Sequence, residues 1–205
     1  MQYNCYMQKK LSEIAKIVSG YTFRTSIEND PKGKTFVLQA KNIGANLDIV
    51  DTSDFDKISD KSMRDPYFLE YNDVLLISRG SGLGSFKSAL FATDQNNVIP
   101  SSSVHVIRVT DVTVLPKYVS LYFNSIIGQR GLFQIITGGS ALQSILVKNL
   151  MDFKIPIPLV HTQKTIIALH ENIYEQEKIL KRKKELQKSI SNAIFSNLTR
   201  EQDEK

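Results

Sequence analysis

Four short stretches of this sequence carry residue types capable of chemistry, and their spacing decides what each can do. Gly80-Ser81-Gly82-Leu83-Gly84 follows the apolar run Val74 to Ile77, the order in which a nucleotide or S-adenosylmethionine loop follows its strand. The sixth position, however, is Ser85 where that pattern needs glycine, and Phe86 to Phe91 reads as a strand rather than a helix. No acidic residue stands at the expected distance of about 20 residues. The stretch therefore reads as a hairpin loop whose glycines supply positive φ angles. With Arg79 and Lys87 on its shoulders and Ser81 at its tip, such a loop can approach a phosphate backbone closely. Asp65-Pro66-Tyr67 lacks one proline of the signature by which adenine methyltransferases grip a flipped base, and reads as a turn leading into Phe68 and Leu69. Ser101-Ser102-Ser103 with His105 invites a hydrolase reading, but no Gly-x-Ser-x-Gly elbow surrounds the serines and no acid is marked out to orient the histidine. A turn entering a strand is the plainer reading.

The fourth stretch, Gly138-Gly139-Ser140-Ala141-Leu142-Gln143-Ser144, offers hydroxyl and amide groups. Ser140, Gln143 and Ser144 suit phosphates or base edges, and an ordinary loop capping a helix fits the same residues. The remaining candidates exclude more than they suggest. Cys5 is the single cysteine, so one chain can build neither a disulfide nor a cysteine-rich zinc site. His105, His161 and His170 are scattered without metal-ligand spacing. No catalytic residue, metal or cofactor is expected.

The elements that must position these stretches fall into two compositional zones. From about residue 11 to 158, short apolar runs alternate with turn residues, whereas from Thr162 onward the chain has no Gly or Pro and is rich in helix formers. Between them Ile155-Pro156-Ile157-Pro158 enforces extended backbone, since a residue before proline avoids the α region. The expected domains are therefore 1–158 and 159–205. In the first, Thr35 to Gln39, Asp73 to Arg79, Phe86 to Phe91 and Val104 to Val109 are β-branched or aromatic and bounded by turn residues, which predicts strands. Leu11 to Val18 and Pro116 to Ser125 are predicted helices, the second opening on proline with Val119, Tyr122, Phe123 and Ile126 at helical spacing.

The second zone places Ile166, Leu169, Ile173, Leu180, Ile190, Ile194 and Leu198 on a near-heptad stripe, interrupted at Gln176 and around Lys181 to Lys184. A helix from Thr162 to Leu198 is roughly 55 Å long, too long to pack fully on a head of about 150 residues. Something else must cover its stripe. The basic cluster Lys181, Arg182, Lys183, Lys184 and Lys188 reads first as a solvated helix face and second, on a helix that spans between two DNA-reading heads, as a face toward phosphates.

Composition fits a soluble globular chain: 205 residues, 41% hydrophobic, 23% charged. No stretch reaches the roughly 20 apolar residues of a membrane span, so a cytoplasmic location is expected. The net charge of +5 permits a polyanionic partner, because clustered cations release counterions from nucleic acid, but it does not demand one.

Taken in order, the segments resemble the specificity subunits of Type I restriction-modification systems. The resemblance runs from Lys10-Leu11-Ser12-Glu13-Ile14-Ala15 and Ser19-Gly20-Tyr21-Thr22-Phe23 through Tyr71-Asn72-Asp73-Val74-Leu75-Leu76-Ile77-Ser78-Arg79-Gly80. It continues through Ser101 to Arg108, Leu115-Pro116-Lys117-Tyr118 and Gly138-Gly139-Ser140, and closes on Ile155-Pro156-Ile157-Pro158, Gln163-Lys164 and Ile167-Ala168. The ordered set is what is specific. It implies an α+β fold: a mixed target-recognition domain with short twisted strands, then a long spacer helix forming an antiparallel coiled coil. Full subunits of that family carry two recognition domains and two such helices, and this chain carries one of each.

The resemblance further implies a noncatalytic reader of double-stranded DNA that directs methyltransferase (M) and restriction (R) subunits, which hold the chemistry. A homodimer would supply the missing half, with Ile166, Leu169, Ile173, Leu180, Ile190 and Ile194 at the interface. Family motifs do not fix the base-reading residues, so Arg24, Lys41, Arg79, Ser81, Lys87, Ser140 and Gln143 are chosen for loop placement and side-chain type. Two competing readings remain: a DNA methyltransferase fragment, which should hold a cofactor loop and catalytic dipeptide, and a protein-interaction adaptor acting through its helix.

Overall fold

A computed structural model describes residues 7–44, 48–49, 52–59, 67–139 and 143–203, with side chains as far as residue 196. In chain order the elements are β1 (Met7–Lys10), the single turn α1 (Leu11–Ile14), β2 (Ala15–Ser19), β3 (Thr35–Leu38), a 3-10 turn (Ala40–Asn42), β4 (Asp48–Ile49) and β5 (Asp56–Ile58). There follow β6 (Val74–Ile77), β7 (Arg79–Gly80), β8 (Ser88–Phe91), β9 (Val98–Pro100) and β10 (Val104–Val109). The rest are α2 (Pro116–Asn124), α3 (Ile126–Gln134), β11 (Ile136–Gly138), β12 (Gln143–Ile145), α4 (Val147–Met151), β13 (Lys154–Ile157) and α5 (Val160–Asp203). Residues up to Gln163 form one compact unit and those from Lys164 another.

In the first unit the β-branched runs assemble a central sheet of order β2-β10-β6-β8-β4. Side chains alternate across its pleat. One face sends Leu75, Ile77, Ala89, Phe91, Val104 and Val106 into a core shared with Leu38 and Val98 of a second sheet, β5-β3-β9, and with Phe55 and Leu69. The opposite face meets α2, where the Ser88 and Ser120 hydroxyls lie 3.2 Å apart. There Asn124 substitutes for a neighbouring strand: its Oδ1 accepts from the Ser88 N–H at 2.9 Å and its Nδ2 donates to the Ser88 carbonyl at 2.7 Å.

The mixed α and β head followed by a long helix is the architecture expected from the sequence. Two predicted elements are different. The strand expected over Asp73 to Arg79 breaks at Ser78 into β6 and β7, which join different sheets because the Ser78 backbone turns to bond Ser103 and Ile145. The helix expected over Leu11 to Val18 stops at Ile14, and Ala15–Ser19 is strand β2, running antiparallel to β10 from Ala15 opposite Val109 to Ser19 opposite His105. Ile17 and Val18 are β-branched, and pairing with β10 gives their backbone a ladder that outweighs the weak helical periodicity.

The extended Ile155-Pro156-Ile157 run is β13, paired with β1, and the Pro156 carbonyl accepts from the Tyr118 hydroxyl at 2.6 Å. Proline suits this two-stranded ribbon because it has no N–H to leave unpaired. Just beyond, Gln163 is fully buried. Its Oε1 accepts from the Leu115 N–H, and its Nε2 donates to the carbonyls of Thr113 and Pro158, each at 2.8 Å. The first turn of α5 is thereby fastened to the head. The helix spans 44 residues, about 66 Å at the standard rise.

Candidate nucleic-acid interface

Most of the chosen residues trace back to one tight turn. Ser101–Ser103 links β9 to β10, and its serines bond each other, Oγ to Oγ at 2.7 Å. Short hydroxyl side chains suit such a turn because they satisfy nearby backbone groups. Three distant segments dock on it. The Gly20 N–H donates to the Val104 carbonyl at 2.9 Å and the Tyr21 N–H to the Pro100 carbonyl at 2.7 Å. Here glycine is required, since a Cβ on residue 20 would lie 2.1 Å from the Ser101 carbonyl oxygen. The Ser101 N–H donates to the Leu38 carbonyl at 2.8 Å, and the Ala40 N–H to the Ser103 hydroxyl at 3.2 Å. Ser78 donates its N–H to the Ser103 carbonyl at 2.9 Å and its hydroxyl to the Ser102 carbonyl at 3.1 Å.

Each docked segment carries one chosen cation a few residues on: Arg24, Lys41 and Arg79. Arg24 is exposed in the loop after Tyr21. Lys41 is exposed but its ammonium lies 2.6 Å from Asp56, whose carboxylate also accepts from Gln39, so much of its charge is offset locally. Arg79 is exposed on β7. Among the described residues neither Arg24, Arg79 nor Lys87 has an ion-pair partner, whereas Lys9, Lys10 and Lys117 are paired with Asp111, Asp152 and Asp48.

The third segment unites two stretches that lie some 60 residues apart in the chain. β7 pairs with β12, Gly80 opposite Gln143 and Arg79 opposite Ser144, and β12 pairs in turn with β11, giving a sheet of order β11-β12-β7. The Ile145 N–H donates to the Ser78 carbonyl at 2.9 Å, and His105 on β10 bonds the Ile145 carbonyl through Nε2 at 2.7 Å. Beyond β7 the glycine loop turns back to β8. Ser85 closes it by donating its hydroxyl to the Gly82 carbonyl at 2.6 Å, and Gly84 takes a φ of 87°, open to glycine at little cost. Ser81 and Lys87 are exposed on this turn. The hairpin reading of the glycine stretch thus holds.

Gln143 is half-buried, and its Oε1 is buried without a hydrogen-bond partner among the described residues. It shares the inner face of β12 with Ile145, which is 2% exposed, because residues two apart point the same way. Ser140, and Asp65 and Pro66 of the turn-like tripeptide, lie outside the described residues. Tyr67 packs under Arg108, whose guanidinium carbon sits 4.8 Å from the ring centroid.

Among the described residues of the site no nucleophile and base are in contact. The serine hydroxyls bond each other and the backbone, and the Nε2 of His105 is committed to a carbonyl. Among the described residues no cluster of His, Cys, Asp and Glu could hold a metal ion. What the arrangement presents is a glycine-rich hairpin, exposed cations and hydroxyls on a braced sheet. The turn read from Ser101–Ser103 at the entry to a strand is found between β9 and β10; what sequence reasoning missed is the bracing role of these serines, of Ser78 and of His105, for which the clustering of small hydroxyl residues before β10 was the available signal.

In the second unit, α5 exposes Leu169, Ile173, Leu180, Ile190 and Ile194 at 42 to 63%, as the stripe predicts. Ile179 and Leu186, 64% and 48% exposed, lie beside the stripe, Ile179 one position before Leu180 and Leu186 four before Ile190, and widen it. The heptad count passed over them. Among the described residues no helix is long and apolar enough to cross a membrane.

Comparison with known proteins bears on both units. The family described as the Type I restriction modification DNA specificity domain matches residues 5–188. A search of curated proteins returns no match. Among solved structures, the Type I restriction-modification S subunit of M. genitalium is similar over 85% of this chain and 41% of its own, with 16% identity and a TM-score of 0.56. The HsdS subunit of Thermoanaerobacter tengcongensis is 19% identical over 89% of this chain and 40% of its own, with a TM-score of 0.60. A chain from work on complex assembly and conformational transition of the type I R-M system is 18% identical over 89% and 41%, with a TM-score of 0.63. At these identities the likeness establishes the shared fold. The chain spans about two fifths of each of these proteins.

Proposed function

The chain belongs to the Type I restriction modification DNA specificity domain family, and from that premise we propose that it reads a double-stranded DNA site as half of a specificity subunit. In this reading it catalyses nothing and directs methyltransferase and restriction subunits, in the cytoplasm, to the site it selects. The observation that carries the reading is the β11-β12-β7 sheet, which joins the glycine hairpin of Arg79, Ser81 and Lys87 to the strand of Gln143. Phosphate contacts position a protein and base-edge contacts specify the site. A braced sheet with a glycine tip and unpaired cations provides for both. Arg24 lies exposed in the loop that leaves the serine turn at Tyr21 and is a further candidate phosphate contact, while Lys41, held by Asp56, is a weaker one unless DNA displaces that carboxylate.

The second half of the subunit is a second copy. Of the apolar stripe of Ile166, Leu169, Ile173, Leu180, Ile190 and Ile194 on a helix of 44 residues, all but the half-buried Ile166 are exposed, and burial of apolar surface at about 25 cal/mol per Å² favours self-association. Two copies packed antiparallel form an isologous interface with identical heads, which suits an inverted repeat with an unread gap.

Selection from a random duplex pool, with and without methyltransferase subunits, tests the reading. Enrichment of one inverted repeat supports it; enrichment of no sequence with those subunits present overturns it. Sedimentation of the chain alone as a monomer at high micromolar concentration would defeat the dimer and leave the adaptor reading, a helix for other proteins, in its place.

A further inference from the structure

His105 stands among the most buried polar residues of the head, 4% exposed, in the middle of the residues that brace the candidate sheet. It belongs to β10 of the central sheet, between Ser19 on β2 and Leu76 on β6. Its Nε2 lies 2.7 Å from the Ile145 carbonyl of β12. A carbonyl only accepts, so Nε2 carries the proton, and Nδ1 is left as a bare acceptor. That nitrogen is buried with no partner among the described residues. The geometry therefore selects one neutral tautomer. A second proton would place an N–H and a full charge where none of the described residues receives them.

The position of this bond gives it a consequence. β12 has three residues, and β7, its neighbour, has two. Strands this short hold their register poorly on backbone pairing alone. The Ile145 N–H donates to Ser78, which extends the β12–β7 pairing. The His105 bond is different in kind, since it reaches β12 from the central sheet. We propose that His105 is a positioning residue for the DNA-reading surface, its neutral imidazole fixing the height and register of β12 and through it of Arg79 and Gln143. The proposal rests on the DNA-reading role argued above.

Acid sensitivity follows from the same geometry. Burial, together with the charge of Arg79, holds the imidazole below its ordinary pKa of 6.5, against the opposing pull of the Ile145 carbonyl. Arg79 is the charged group acting on the ring; Ser19 on β2, Leu76 on β6 and Gln143–Ile145 on β12 carry no charge. Because the folded value is depressed, the neutral imidazole persists at pH 7, and its contribution is lost as pH falls below the ordinary range.

The test compares the wild-type chain with His105→Leu and His105→Gln, the latter keeping an amide donor for the carbonyl. Two measurements are needed: amide hydrogen exchange without DNA, and binding to the selected duplex against a scrambled one. His105→Leu is expected to speed exchange at residues 79–80 and 143–145 by about tenfold, with β2 and β6 unchanged. It should cut selectivity by about tenfold while affinity for scrambled duplex stays within about twofold. His105→Gln should restore both. Wild-type protection of β12 should fall between pH 7 and 5, and that of His105→Gln should not.

Unchanged β12 protection and selectivity in His105→Leu would overturn the proposal. So would loss of protection across the whole head in both variants, which marks a simple core residue. If His105→Leu does not fold, the pH comparison of wild type with His105→Gln decides alone. If the wild type selects no sequence, the DNA-reading role fails, and the exchange data still judge what His105 holds.

Discussion

Arg79 and Lys87 stand on the two limbs of one glycine hairpin, and in the proposed function their side chains would divide the work that a DNA reader must do. A guanidinium can bond a guanine edge in two places, while an ammonium is a point charge for phosphate. Arg79→Ala should weaken binding to the selected duplex by about 1–3 kcal/mol and relax preference at one base pair. A loss equal across all sequences, seen in competition against scrambled duplexes, would make it a phosphate contact. Stability depends on other residues. Arg108 donates to both carboxylate oxygens of Asp73, at 2.8 and 2.7 Å, and also pairs with Glu70. Asp73 is 1% exposed, so Arg108→Leu strands a buried charge and should cost about 3–5 kcal/mol in urea unfolding, part of which Asp73→Asn should recover. Asp111 ties the loop after β10 to β1. Hydrogen bonds from the Lys9 ammonium and from the Thr113 hydroxyl and N–H bring its pKa from 3.8 to about 2. Its folded value is depressed, so its contribution is present above pH 4 and lost as pH falls toward 2. Asp111→Asn should flatten the melting temperature across that window.

At the scale of elements, α5 makes the firmest demand. Its stripe is apolar, exposed and wider than heptad counting suggests, since Ile179 and Leu186 add to the seam of Leu180 and Ile190. Leu186→Glu together with Ile190→Glu would bury two charges from each copy, four in all, in the proposed dimer, without partners to offset them. Sedimentation should then report a monomer, while the thermal transition of the head, whose core lies in the other unit, stays unchanged. A dimer surviving both substitutions would place the interface elsewhere.

For the whole molecule, the proposed dimer makes the helix a ruler between two identical heads. Insertion of one heptad into α5 lengthens it by about 10 Å at 1.5 Å per residue. With base pairs stacked at about 3.4 Å, the unread gap of the inverted repeat should grow by about three base pairs, with the half-sites themselves unchanged. Selection from a random duplex pool would read both quantities at once. A shift in half-site sequence would count against a pure spacer.

What the sequence determined by itself was everything that rests on local pattern. The runs Val74 to Ile77 and Val104 to Val109 are strands, Pro116 opens a helix, and the chain from Val160 is one long helix, because side-chain period and proline chemistry act within a few residues. The glycine hairpin was legible for the same reason. The strand at Ala15–Ser19 was not: its state is set by a partner, β10, nearly ninety residues away. Nor could sequence join Arg79 to Ser144, hold Lys41 against Asp56, or turn the Gln143 oxygen inward. Those are consequences of pairing across long loops, where register and burial are decided by the assembled core rather than by neighbours in the chain. Local order determined that this chain has a hairpin and a helix to offer; only the tertiary structure decided that a serine turn and a buried histidine hold the hairpin in place.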